Sequence, residues 1–326
     1  MKFKIEVFSN YLERTIADIE AGRTVDYKIS TMNLFARPSS LIERFLNCLL
    51  KNDFKVCYDQ TLSRRVYVLP DGHYVFRILP RGRRKNRYKK IADQISLSIQ
   101  QKYSGILVNL KPRFFQIKSD VGWMKKLRSL HLLQFLGTSH LKAAAMLDKN
   151  GGHWATIATG ELSSEGRQNN LSLTFQSDTA YNFIKKLLDP DSQVGANLYK
   201  FCQVSKHLTL LVDYGNYGAP AVIPKIHQLA QDLILDQPKN ILFVSQYNPS
   251  GRILRALNQA ARDDARVTIP LQPTGDYRRH DGGFKFLFLK FRLTVSRKIN
   301  LPIRSRASHN KCLVVRHADD SWSMIF

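Results

Sequence analysis

Two short stretches hold the residue types best suited to chemistry: SHLKAAAMLDKNGGHWATIA, from Ser139, and SHNKCLVVRHADDSWSMIF, from Ser308. Each reads Ser-His-x-Lys, then an apolar run, a polar turn containing Asp, and a Trp that opens a second apolar run. Alternate residues of a strand face the same side, so His140 shares a face with Lys142, and His309 with Lys311. Such a set suits a phosphodiester, whose negative oxygens repel anionic attack. An imidazole is neutral near pH 7 and can attack phosphorus to form a phosphohistidine. A second, protonated imidazole can donate to the departing alkoxide, while two lysines absorb charge on the remaining oxygens. No metal and no cofactor is needed, and the residues alone do not say which histidine attacks.

A single His-x-Lys tripeptide carries little weight in a lysine-rich chain. The weight comes from the elements that would position it, because these repeat. Pro38 to Val56, PSSLIERFLNCLLKNDFKV, aligns without gaps to Pro249 to Val267, PSGRILRALNQAARDDARV, with eight identities in nineteen places. Both follow strand-like runs (YKISTMNLF and NILFVSQY), open with Pro-Ser at a helix start, carry helical apolar spacing, and run into short strands, KVCY and RVTIPL. The sequence thus predicts a strand-helix-strand unit used twice, each followed by its own Ser-His-x-Lys hairpin. The first half holds a surplus of roughly 42 residues between these landmarks, assigned to an insertion over about 80–130 with a helix from Lys89 to about Lys102.

At these residues the chain resembles the phospholipase D superfamily, especially its cardiolipin synthase-like members. The family motif runs His-x-Lys, four residues, Asp, then Gly-Ser-x-Asn, once in each half of a bilobal protein. The resemblance covers about residues 25–326 and implies an α/β fold of duplicated lobes. Each lobe would have a mixed sheet flanked by helices, with the active site at the lobe interface. It implies catalytic roles for His140, Lys142, His309 and Lys311, with His140 as nucleophile and His309 as general acid. Supporting positions fall on Asp148, one place later than the motif Asp, on Thr159 and Glu161 within Ala158-Thr159-Gly160-Glu161, and on Asp319 in the second copy. Glu161 stands where the family has Asn. The expected domains are an N-terminal extension (1–24), a first lobe (25–195) and a second lobe (196–326), the last expected to be truncated because Phe326 aligns with Ala158.

The implied function is cleavage or transfer of a phosphodiester on phospholipid. The alternatives are a metal-independent nuclease and a catalytically impaired phosphate-binding protein. Lys and Arg number 50 against 26 Asp and Glu, a formal charge of +24, which favours phosphate-bearing partners: phospholipid, an anionic membrane surface or nucleic acid. Arg83, Arg84, Lys85 and Arg87, in RGRRKNRYKK, and Lys290 and Arg292, in FKFLFLKFRLTVSRK, are the candidate contacts to phosphate or membrane. Each run also reads as something plainer, a solvated face in the first case and a buried strand in the second. The four cysteines lack paired spacing and read as buried thiols. No stretch approaches the length of a membrane span, so the expected location is cytoplasmic, or peripheral at a membrane. Oligomeric state is not legible.

Overall fold

The computed structural model describes residues 2–31, 34, 36, 39–58, 66–68, 74–76, 98–110, 141–162, 170–192, 199–213, 225–244, 251–270, 299–302 and 312–326. They divide into two compact units, Met1–Gly166 with Leu171–Pro220, and Arg167–Asn170 with Ala221–Phe326.

The first unit opens with β1 (Phe3–Val7) and α1 (Phe8–Glu20), followed by β2 (Thr24–Thr31), α2 (Leu41–Lys51) and β3 (Lys55–Tyr58). Next come a small antiparallel pair, β4 (Val66–Val68) and β5 (Tyr74–Phe76), then β6 (Leu107–Asn109) and a hairpin of β7 (Ala143–Asp148) and β8 (His153–Ala158). β9 (Leu171–Gln176), α3 (Asp178–Leu187) and the hairpin β10 (Tyr199–Ser205) and β11 (Leu208–Asp213) complete it. Its main sheet runs β1-β9-β8-β7-β2-β3-β6, with β2, β3 and β6 parallel and the remaining pairings antiparallel.

The second unit contains α4 (Lys225–Leu235), β12 (Pro238–Val244), α5 (Gly251–Arg262), β13 (Arg266–Thr268), β14 (Ile299–Asn300), β15 (Cys312–His317) and β16 (Trp322–Ile325). Its sheet runs β14-β13-β12-β15-β16, with β12, β13 and β14 parallel and β15 and β16 antiparallel. This is the pairing order of β6-β3-β2-β7-β8 over again. In both units a helix crosses between the first two parallel strands, and the Trp-bearing hairpin pairs with the first of them.

The predicted strand-helix-strand units are present, and their formation is local. Ile42, Phe45, Leu46 and Leu49 recur at helical spacing and are all buried. The Ser40 hydroxyl accepts from the Glu43 amide at 3.1 Å, and the Glu43 carboxylate takes the Ser39 amide at 2.8 Å, so the first turn is capped from both sides. α5 buries Ile253, Ala256, Leu257, Ala260 and Ala261 against Ile241, Val267, Leu313 and Val315. β7 carries three alanines because it is covered on both faces. Ala144 belongs to the core beneath α1 and α2, while Ala143 and Ala145 belong to the core beneath α3.

Two expectations need correction. Residues 1–24 are no extension: β1 is paired along its length with β9, and α1 buries Phe8, Tyr11, Leu12, Ile16 and Ile19 in the main core. Of the charges scattered through this stretch, Arg14 of α1 pairs with Glu6 of β1 at 2.6 Å and with Asp18 at 3.5 Å. The first unit also continues past 195, because Cys202 and Leu210 of the β10-β11 hairpin complete the core under α3. Residues 98–102 are helical, and the rest of the expected 89–102 helix lies outside the described residues. Cys48, Cys57 and Cys202 are buried free thiols, as read from their apolar settings. Among the described residues no helix is long and apolar enough to cross a membrane.

Candidate functional site

Lys142 lies immediately before β7, where its carbonyl accepts the Ala158 amide at 2.9 Å and so extends the β7-β8 ladder. Its ammonium stands 3.3 Å from Glu161, with only 13% of the lysine side chain and 2% of the glutamate side chain exposed. A carboxylate this buried is costly to charge unless a cation accompanies it, and Lys142 supplies that cation. Two of the sequence-derived candidates, Lys142 and Glu161, are thus neighbours.

The C-terminal end of β2 holds the backbone beside both members in place. The buried Ser30 hydroxyl donates to the Leu141 carbonyl at 2.8 Å and accepts the Ala143 amide at 3.0 Å, clasping the backbone on either side of Lys142. Next to it, the buried Thr31 hydroxyl accepts the Leu162 amide at 3.1 Å, fixing the residue after Glu161. Thr159 accepts the Leu171 amide at 2.9 Å through its hydroxyl, which ties the Glu161 segment to the start of β9. Gly160 has its own reason: a Cβ there would meet the Phe8 ring at 2.2 Å, so only glycine lets α1 close over this segment. Phe8, Tyr11, Ser30, Lys142, Thr156 and Gly160 line a small cleft at this point. Behind it, the Tyr11 and Tyr27 hydroxyls pair at 2.7 Å, and burial raises both phenols above their ordinary range.

Ser30, Thr31 and Phe8 were not picked out from the sequence. The available signal was two hydroxyl residues closing an otherwise apolar strand, a position from which side chains reach a site at the strand ends.

Asp148 and Asp319 are in different surroundings from Lys142. Asp148 closes the β7-β8 turn at the far end of β7, roughly 20 Å along the strand from Lys142 at about 3.3 Å per residue. Its carboxylate accepts the Asn150 and Gly152 amides at 2.8 Å each and the Trp154 indole N–H at 2.7 Å. Burial opposes its charge, but these three donors outweigh that and hold the carboxyl below its ordinary value. Asp319 plays the matching part in the β15-β16 turn, accepting the Ser321 amide at 2.9 Å and the Ser321 hydroxyl at 2.6 Å. Both carboxylates shape turns.

His140, His309 and Lys311 lie outside the described residues, as do Arg83, Arg84, Lys85, Arg87, Lys290 and Arg292. Two of the histidines without a repeat counterpart are occupied by ordinary partners. His153 bonds Asp178 at 2.8 Å and stacks on Tyr181, and His317 bonds the Asp236 carbonyl at 2.8 Å and Ser323 at 3.0 Å. Among the described residues no cluster of three His, Cys, Asp or Glu could hold a metal ion.

The two mixed sheets, each with a crossing helix and a following hairpin, define a mixed α/β fold, and the chain resembles solved structures that share it. One is phosphatidylserine synthase from Haemophilus influenzae Rd KW20, at TM-score 0.57 and 12% identity over 96% of this chain and 75% of that one. Another is polyphosphate kinase from Porphyromonas gingivalis, at TM-score 0.53 and 9% identity over 99% of this chain. The present chain spans 44% of the length of that kinase. At such identities the likeness is one of fold. No family model matches the sequence, and no curated protein matches it.

Proposed function

We propose that the chain is a phosphodiester-cleaving or phosphatidyl-transferring enzyme of the phospholipase D type, acting through a covalent phosphohistidine on a phospholipid. The observation that carries this reading is the recurrence of one architecture. Two sheets of the same pairing order each pair their first parallel strand with a hairpin that directly follows a Ser-His-x-Lys sequence. That recurrence supports the duplicated-lobe reading, with His140 and Lys142 in one half and His309 and Lys311 in the other. Lys142 lies 3.3 Å from Glu161, with Ser30 bonded to the backbone on either side of it, which supports its part in this reading. On this reading His140 attacks phosphorus, His309 protonates the leaving oxygen, and the lysines offset the charge that builds on the equatorial oxygens. Water or an alcohol then attacks the phosphohistidine and frees the histidine.

The test is hydrolysis of a chromogenic phosphodiester in excess chelator. Turnover that survives the chelator and is lost in His140→Ala is the expected result. Absence of turnover by the wild-type chain, on this substrate and on phosphatidylserine or phosphatidylglycerol vesicles alike, would overturn the enzyme reading. A nuclease remains the second reading because the +24 charge suits a polyanion; chelator-resistant cleavage of single-stranded DNA without vesicle turnover would favour it.

A further inference from the structure

β1 ends the main sheet of the first unit among the described strands: it pairs with β9 on one side and with no described strand on the other. Its sequence, FKIEV, alternates cleanly. Phe3, Ile5 and Val7 point to one face and are 66%, 51% and 46% exposed, placing them among the most exposed large apolar side chains described. Lys4 and Glu6 point to the other face. There Glu6 is almost wholly buried beneath α1, with Arg14 at 2.6 Å and Lys4 at 3.2 Å. An exposed apolar strand at a sheet edge offers unpaired backbone groups and a surface that gains by being covered, and proteins usually blunt such edges with charge, proline or a bulge. β1 has no proline or bulge, and its two charges, Lys4 and Glu6, lie on the face opposite the apolar stripe, 3.2 Å from each other.

The pattern also names what would cover it. When two copies of FKIEV run antiparallel with Ile5 opposite Ile5, Phe3 of one copy faces Val7 of the other, and Lys4 faces Glu6. The six apolar side chains then form one cluster on one face. On the other face each carboxylate gains a lysine from across the edge. Shifting the register by one residue would set apolar side chains against charged ones and lose both matches. The segment is thus complementary to itself in one register.

We propose that β1 is a homodimerisation edge, through which two copies of this chain pair antiparallel about Ile5 and extend the sheet across a twofold axis. An isologous contact of this kind closes on itself, so it yields a dimer and not a filament. Two five-residue strands bury less than the roughly 1,200–2,000 Å² of a permanent interface, so the dimer forms and dissociates with concentration.

Sedimentation velocity across a concentration series reads this directly. The wild type is expected to shift from monomer to dimer as concentration rises. Ile5→Lys, which sets two ammonium groups opposite each other on the axis, is expected to weaken dimerisation by about tenfold or more while leaving the thermal midpoint near the wild-type value. Register is read by cross-linking: under mild oxidation Ile5→Cys is expected to form a disulfide-linked dimer, because position 5 faces itself, whereas Lys4→Cys, which faces Glu6, is not. A wild type that stays monomeric throughout overturns the proposal, as does a dimer indifferent to Ile5→Lys or one that Lys4→Cys traps as readily as Ile5→Cys. Vesicle flotation that depends on Ile5, with no self-association, would assign the stripe to a membrane instead and equally overturn it.

Discussion

At the scale of single residues, the pairing of Lys142 with Glu161 decides most about the site. The two side chains stand 3.3 Å apart with little exposure to water, so each fixes where the other points. The pair is built to be broken only together. Removing either member takes an ion-pair partner from a side chain with little access to water, 13% exposed for Lys142 and 2% for Glu161; a buried ion pair cut on one side typically costs about 3–5 kcal/mol. Glu161→Leu and Lys142→Met are therefore each expected to lower unfolding stability clearly in urea titrations. The double variant is expected to recover much of that loss while remaining inactive, a positive coupling on a double-mutant cycle. Additive losses would mean that the pair contributes no mutual stabilisation. Lys142 was legible from the sequence because it sits in a repeat, and Glu161 through the family resemblance, which puts it at the place of the motif Asn. Ser30 was not, because its role exists only through contacts with residues 111 and 113 positions away, which no local pattern announces.

At the scale of elements, the hairpin turn accounts for Asp148. Its partners show that it closes the Asp148–Gly152 turn and grips Trp154. A carboxylate held below its ordinary pKa contributes stability that is fully present above the unfolded value, about 3.9, and is lost as pH falls through the folded one. The wild type is thus expected to lose thermal stability on acidification below about pH 4. Asp148→Asn, which lacks the charge, should start lower at pH 7 and show a shallower acid slope, read by scanning calorimetry at a series of pH values. An unchanged slope would assign the acid sensitivity elsewhere, with Asp319 the next candidate because the Ser321 hydroxyl and amide lower it in the same way. The hairpins and the strand-helix-strand units were readable because period and turn chemistry are local. β1 and α1 were not, since scattered charges hid a helix whose apolar face is plain only once it has a sheet to cover.

At the scale of the molecule, the proposed reaction makes one demand that no single half can meet: a nucleophile and an acid must act on the same phosphorus. This sets it apart from a chain with two independent sites, one per repeat, and the distinction appears in how losses combine. If each half worked alone, His140→Ala and His309→Ala would each leave about half of the turnover and the double variant none, since independent contributions add. If the two histidines act as one unit, either substitution removes most of the turnover and the second costs little more, because a catalytic set fails as a whole once one member is gone. The proposal therefore expects two similarly deep single losses and a double variant close to either, measured as kcat on a small diester so that binding of an extended substrate does not enter. His140→Ala should also abolish the phosphohistidine trapped by acid quench, while His309→Ala should still form it from an activated aryl diester, whose leaving group departs as the phenolate without a proton, and should lose turnover at the following hydrolysis, where His309 takes the proton of the attacking water. Half-retained turnover in each single variant would leave the fold reading intact and overturn the shared reaction.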